Sequence, residues 1–405
     1  PEQAGASISS VVKKSRFIKG TSIEKPANID GASGLRRLFT HPIMIFLPCI
    51  VLGICSYYAG WSQLLTFWLN FAALFPLAYI FNEVVAELPG LLKNDMISAF
   101  LDVVLLNYVD LMIVWRALYR SRLTLVKAII LGSPIFNTLM VTGVSFFCGG
   151  MFVKKKAQAY VDLAEHSGII KEKVQFFSTQ SVTLNVVSVL LVFLSMSLVN
   201  GLESVTEIED EPGLLPFSRG ASMIIFSVYL GFIIFQTITH KEMLLEVEDE
   251  GDDEDEEPAF SCRAGCALLV VSMTLIAISS RLLMIVIGSV IEDAHMGEQF
   301  LGVILLPILT NISGLLDGVK YAMQEKPSTA LGIALGSTTN TFLFILPVAV
   351  LGGWMLGQPM DLNFGQLHTT ALNVIIDVVL LVMLDGQSHW FYGYCLCAAY
   401  AITAL

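Results

Sequence analysis

The chain repeats itself. Leu106-Asn107-Tyr108-Val109-Asp110-Leu111 leads to Leu131-Gly132-Ser133-Pro134-Ile135-Phe136-Asn137. Further on, Thr310-Asn311-Ile312-Ser313-Gly314-Leu315 leads to Leu335-Gly336-Ser337-Thr338-Thr339-Asn340. One offset of 204 residues (311 − 107) carries Asn107 to Asn311, Gly132 to Gly336 and Gly149 to Gly353. Each copy is an Asn-bearing apolar segment, a polar joint, and an apolar segment with Gly-Ser at its middle. Such a duplication constrains the fold more than any local propensity. Two related halves must pack together, and in a membrane chain their interface is where transporters place substrate.

The membrane setting follows from composition. Of the 405 residues, 55% are hydrophobic and only 14% charged, where a soluble domain carries about a quarter charged. Mean hydropathy is +0.71. The apolar residues fall in runs too long for core helices and suited to bilayer spans. The fold expected is an all-α polytopic membrane protein. Its formal charge of −12 is local: the run 246–257 holds ten acids and no base, and without it −2 remains (−12 + 10). The seven cysteines form no CxxC pair and read as small apolar helix residues.

In order, residues 1–41 read as a polar, basic, cytosolic tail with no secretory signal, carrying Lys13, Lys14, Arg16, Lys19, Lys25, Arg36 and Arg37. An N-terminal span fills 42–60. A first repeat fills 61–240, an acidic cytosolic linker 241–262, and a second repeat 263–405. Eleven spans are expected, at 43–59, 64–81, 96–118, 125–147, 181–199, 221–238, 266–291, 300–323, 330–356, 367–384 and 390–405. A cytosolic start then puts the acidic run on the cytosolic side. It also puts the basic joint Arg116, Arg120, Arg122 and Lys127 on the side the positive-inside rule disfavours.

Polar residues deep in these spans need a reason, because a charge at a helix centre costs about 2.5–3.5 kcal/mol on insertion scales. A hard cation such as Ca²⁺ takes oxygens from carboxylates, amides, hydroxyls and carbonyls. Asn107, Asp110, Ser133 and Asn137 offer them in the first repeat, and Asn311, Ser337 and Asn340 in the second. Asn107 and Asp110 are three residues apart and share a helix face. Gly314 leaves no side chain where the first repeat has Asp110, so Asp317, one turn on, takes the second carboxylate role. Gly132 and Gly336 allow close helix approach or a local break. Glu83 and Glu87 line an access path or occupy a surface loop. The acidic linker (Glu246, Glu248, Asp249, Glu250, Asp252, Asp253, Glu254, Asp255, Glu256, Glu257) is a solvated spacer or a cation-attracting patch. Asp377 stays unassigned.

The two stretches resemble the α-repeats of the calcium/cation antiporter superfamily, and most of all its cation/proton (Ca²⁺/H⁺) exchangers of fungal and plant vacuoles. That family carries Gly-Asn-Ala-x-Glu in each repeat, followed by a Gly-Ser helix with an amide. Gly332 to Ser337, Gly352 to Met355, Pro359 to Phe364 and Leu384-Asp385-Gly386 carry the strongest likeness, and Asn82 with Glu87-Leu88 carries more. The resemblance spans roughly residues 42–405. It implies a sodium/calcium exchanger-like fold of one N-terminal helix plus two inverted five-helix repeats. It also implies exchange of Ca²⁺ for H⁺, with central carboxylates that bind cation or proton in turn, in a vacuolar or other acidic-organelle membrane. Two departures stand out: Asp110 replaces the first Glu, and Gly314 replaces the second.

The substrates expected are Ca²⁺ or another small cation and protons, with the lipid bilayer as partner, no cofactor and no nucleic acid. HExxH, GxSxG and a paired His/Asp cluster are absent from the sequence, so an enzyme is not expected. Two alternatives stay open. The lost Glu favours a non-transporting scaffold or regulator that keeps the fold, and the low carboxylate count suits a monovalent cation/proton exchanger. For Asp110 the alternative is a pair with Arg116 or with a neighbouring hydroxyl; for the Asn and Ser residues it is plain helix–helix hydrogen bonding.

Overall fold

The computed structural model describes residues 38–86, 101, 104–152, 174–206, 214–240 and 262–405. After a 3₁₀ turn at Pro42–Phe46 come α1 (Pro48–Tyr58), α2 (Gln63–Ala86), α3 (Tyr108–Tyr119) and α4 (Leu123–Phe152). Next are α5 (Thr179–Thr206), α6 (Leu214–Thr239) and α7 (Cys262–Asp293). Last come α8 (Glu298–Met323), α9 (Pro327–Met355), α10 (Gln366–Met383) and α11 (Trp390–Ala404). Each expected span is thus met by a helix. Eight of them are long and apolar enough to cross a bilayer: α2 and α4 to α10. The described parts of α1, α3 and α11 are shorter, at 11, 12 and 15 residues. Glu87, the acidic run 246–257 and the start of the expected span 96–118 lie outside the described residues.

One feature lies outside the helices. Gln175–Phe176 pairs antiparallel with Gln387–Ser388. Both are extended segments leading into helices, α5 and α11, and their backbone groups satisfy each other where no helix ladder is available.

Burial sorts the helices into centre and periphery. The apolar windows of α4 and α9 are 83% and 72% buried, against 22% for α6. The duplicated Gly-Ser helices are therefore the middle of the bundle. Each departs from α geometry at the same place. α4 passes through a π segment at Phe136–Val141 and α9 through one at Thr341–Ile345. Pro134 and Pro347 sit beside these segments and lack the N–H that an unbroken ladder needs. α6 ends in a π segment at Phe235–Thr239, and α8 has one at Leu301–Leu305, just before Pro307.

The duplicated glycines differ in use. A Cβ on Gly132 would stand 2.5 Å from the Val303 Cα, so α4 and α8 touch backbone to backbone there. Gly336 has nothing within 4 Å of the equivalent point. The Arg116–Lys127 joint is also partly neutralised. Arg122 bonds Glu298 and Lys127 bonds Asp361, each at 2.6 Å, tying the first repeat to the start of α8 and to the loop between α9 and α10.

Candidate functional site

The site is built where α3, α4, α8 and α9 meet. Asn107 occupies a one-residue turn after helical residues 104–106, at the N-cap position of α3 but without a side-chain capping bond. Asp110 is in the first turn of α3, where the positive end of the helix favours a carboxylate. It is 7% exposed. Its Oδ1 is buried without a hydrogen-bond partner, and Thr310 is an electrostatic neighbour of the carboxylate. Among the described residues the ion pairs are Arg122–Glu298 and Lys127–Asp361, so Arg116 does not neutralise Asp110.

The amides and hydroxyls of the two repeats bond across the interface. Asn137 Nδ2 donates to Asn311 Oδ1 and to Ser337 Oγ, both at 2.9 Å. Asn311 Nδ2 faces three acceptors: Ser133 Oγ at 2.8 Å, Thr310 Oγ1 at 2.9 Å and the Pro307 carbonyl at 3.0 Å. Ser337 Oγ donates to Asn311 Oδ1 at 3.3 Å. The Gly-Ser helices supply Ser133 and Asn137 from one side and Ser337 from the other. The π segment that starts at Phe136 carries Asn137. Asp110 is an electrostatic neighbour of Thr310, at the edge of this cluster and outside its hydrogen bonds.

Two expected members stand apart. Asn340 is half-buried and takes no part in these bonds. The 204-residue offset carries Asn137 to Thr341, not Asn340, and one residue is about 100° of helix rotation. Asp317 is half-buried on α8, six residues beyond Asn311, or about 9 Å of rise. It is an electrostatic neighbour of Glu83 on α2 and of Lys320 on its own helix. Beside it, Asn82 Nδ2 donates to Ser313 Oγ at 2.6 Å. Asp317 and Glu83 thus form a second polar locality, next to the network and outside its hydrogen bonds.

Sequence reasoning missed Thr310. The signal was there, since a hydroxyl directly ahead of the duplicated Asn311 adds an oxygen to the same turn. Its electrostatic neighbour in the fold, Asp110, is 200 residues away and gave no local hint. A cavity of about 340 Å³ borders the region, lined on α4 by Thr124, Lys127, Ala128 and Leu131 and elsewhere by Gln299 and His368. It stops two residues short of Ser133. Among the described residues no three His, Cys, Asp or Glu side chains gather as a metal cluster. A cation at this site would therefore meet one carboxylate and several neutral oxygens.

Two duplicated halves that share one buried polar cluster inside a helical membrane chain define a secondary transporter by architecture. The chain belongs to the sodium/calcium exchanger protein family, whose profile matches residues 62–238 and 264–405. It is 32% identical over 367 residues to the vacuolar cation/proton exchanger 1 of Arabidopsis thaliana, covering 90% of this chain and 76% of that protein. It is 26% identical to the vacuolar calcium ion transporter of Schizosaccharomyces pombe, covering 92% of this chain and 85% of that one. With the Ca²⁺/H⁺ antiporter of Synechocystis it shares 29% identity over 90% of this chain and 95% of that one. Among solved structures, native YfkE superposes with a TM-score of 0.70 at 22% identity, covering 89% of this chain and 98% of that one. The fold is shared with the exchangers, and the family is the one the repeats resemble.

Proposed function

We propose that this chain is a secondary active antiporter that exchanges Ca²⁺, or a related cation, for H⁺. One observation carries the reading: a buried carboxylate with an unpartnered oxygen, Asp110, stands at an inter-repeat cluster of Ser133, Asn137, Asn311 and Ser337. A carboxylate bound to a cation and a carboxylate bound to a proton are both neutralised, so one group alternates between the two cargoes as the repeats expose it to either face. The relatives named as vacuolar support a vacuolar or other acidic-organelle membrane, and the basic charge of the N-terminal tail supports its place in the cytosol. The run 246–257 then serves as a cytosolic cation-attracting linker. Asn107, Asp317 and Asn340 complete the proposed binding region, and Glu83 and Glu87 its approach.

The test is proton-gradient-driven ⁴⁵Ca²⁺ uptake into vesicles holding the purified chain, compared with Asp110→Asn. Uptake that needs both the gradient and Asp110 supports exchange. Gly314 favours a second reading, because a site with one central carboxylate carries less charge and suits a monovalent cation. Uptake of Na⁺ or K⁺ without Ca²⁺ selects that reading. Vesicles inert to Ca²⁺, Mn²⁺, Na⁺ and K⁺ select a scaffold that keeps the fold without transport.

A further inference from the structure

The cluster lies partway along a seam between α4 and α8, and the two ends of that seam differ. On α4, Asn137, Val141, Ser145 and Gly149 recur every four residues, and each meets α8. Asn137 bonds Asn311. A Cβ on Gly318 would stand 2.9 Å from Ser145 Oγ and 3.2 Å from Val141 Cγ1. A Cβ on Gly149 would stand 3.0 Å from the Ala322 carbonyl oxygen. Toward the start of α4 the seam reaches the cavity of about 340 Å³, which Leu131 lines from α4 and Val303 from α8. Toward the end of α4 the seam is covered. Gln175 Nε2 donates to the Phe146 carbonyl at 3.5 Å and lies where a Cβ on Gly149 would point. Phe177 stacks on Phe146 with ring centroids 5.8 Å apart. The Ser178 N–H donates to Ser328 Oγ at the start of α9, at 3.1 Å. This cover is tied down by the ribbon that pairs Gln175 with Ser388 and Phe176 with Gln387. The ribbon joins the repeats, since one strand leads into α5 and the other into α11.

One buried group between the cluster and this cover lacks a partner. Ser145 is 1% exposed, and its Oγ makes no hydrogen bond. A buried hydroxyl left so is costly, and the cost disappears when water reaches it. Ser145 stands eight residues beyond Asn137 on α4, about 12 Å of rise, on the side away from the cavity. We propose that the α4–α8 seam beyond the cluster is the cation's second way to water, with Ser145 on its wall, and that the ribbon of Gln175–Phe176 and Gln387–Ser388 is the gate that shuts it. This rests on the antiporter reading proposed above, because exchange requires the cluster to meet each face of the membrane in turn. The structure holds the cavity end of the seam open and the ribbon end shut. A gate must open at small cost, and a two-stranded ribbon this short has little stability of its own.

Thiol accessibility in the purified full chain tests the gate without relying on transport. Ser145→Cys is exposed in detergent to a small cationic methanethiosulfonate, and peptide mass spectrometry reads position 145 apart from the native cysteines. Adding Gln175→Cys and Ser388→Cys puts thiols at paired positions of the ribbon. Their Cα separation in an antiparallel ladder, about 4.5–5.5 Å, suits a disulfide. Oxidation should slow labelling at 145 by about tenfold or more, because the bridge removes the open state from the population. Ser328→Ala deletes the acceptor of the Ser178 bond and should speed labelling; it decides the matter where the bridge does not form. In vesicles, the bridged ribbon should abolish most proton-driven ⁴⁵Ca²⁺ uptake, with recovery on reduction, while Gln175→Cys and Ser388→Cys alone carry Ca²⁺ as the parent does. Labelling that the bridge does not slow overturns the gate, as does uptake that survives the bridge. No labelling at 145 in any variant overturns the water path. A parent that takes up no cation removes the antiporter reading; labelling slowed by the bridge then leaves the ribbon as a gate to water, and unslowed labelling removes both.

Discussion

Asn137 Nδ2 of the first repeat donates to the side-chain oxygen Oδ1 of Asn311 in the second across 2.9 Å, with both residues buried. Neither amide has water to turn to. Truncating one leaves the other with an unmet donor or acceptor, which costs about 1–3 kcal/mol when buried. We expect Asn137→Ala and Asn311→Ala each to lose that much stability, and the double variant to lose less than their sum by about 0.5–2 kcal/mol. Reversible unfolding of the four proteins in detergent gives the coupling. Additive losses would mean that the two amides do not interact.

The duplicated glycines should respond in opposite ways. A methyl on Gly132 would press on the Val303 backbone at 2.5 Å, and a backbone cannot swing aside as a side chain can. Gly132→Ala is expected to cost about 1–3 kcal/mol, as overpacking does. Gly336→Ala meets nothing within 4 Å, and Ala is the better helix former by up to about 1 kcal/mol. It should leave stability unchanged or raise it. Melting temperatures of the two single variants decide the matter, and equal losses would contradict the asymmetric packing.

Much of this was legible in the chain. Long apolar runs gave helices wherever they occurred, because a backbone in lipid has few other ways to satisfy its own polar groups. Fixed spacing between the copies brought Ser133, Asn137, Asn311 and Ser337 into one list, and the fold bonds them to one another. Legibility ended where partners are distant or register is fine. Asn340 looked like the mate of Asn137, yet a one-residue difference turns it about 100° away. The Lys127–Asp361 and Arg122–Glu298 pairs join segments that share no periodicity. Thr310 became visible only when α3 was placed against α8.

Gly314 is a position where a carboxylate can be added. A Cβ there would find Ile333 Cγ2 at 3.6 Å, an ordinary contact, and no closer neighbour outside its own helix. Gly314→Glu is expected to fold and to bring a second negative charge near the cluster. Divalent ions gain twice the Coulomb attraction that monovalent ions gain. The variant should therefore take up Ca²⁺ with a KM lower by about tenfold, or roughly 1.4 kcal/mol, and its preference over Na⁺ should rise. Competition uptake in proteoliposomes measures both. An unchanged selectivity would show that position 314 does not reach the site.

Glu83 and Asp317 make the last case, because stability and function should move apart there. Two half-buried carboxylates that repel each other across α2 and α8 are a burden on the fold when no cation is bound. Lys320 offsets part of this at Asp317 without forming an ion pair with it. Glu83→Gln removes the repulsion, so the cation-free protein should unfold later, by an amount worth about 0.5–1 kcal/mol in this partly solvated setting. If the pair lies on the approach to the cluster, the same change should slow Ca²⁺ uptake at low Ca²⁺ and reduce the extra stability that Ca²⁺ confers on the parent. Thermal unfolding with and without CaCl₂ reads the first and third effects, and initial uptake rates read the second. A variant that gains stability and keeps its full Ca²⁺ response would leave Glu83 and Asp317 as neighbours with no part in transport.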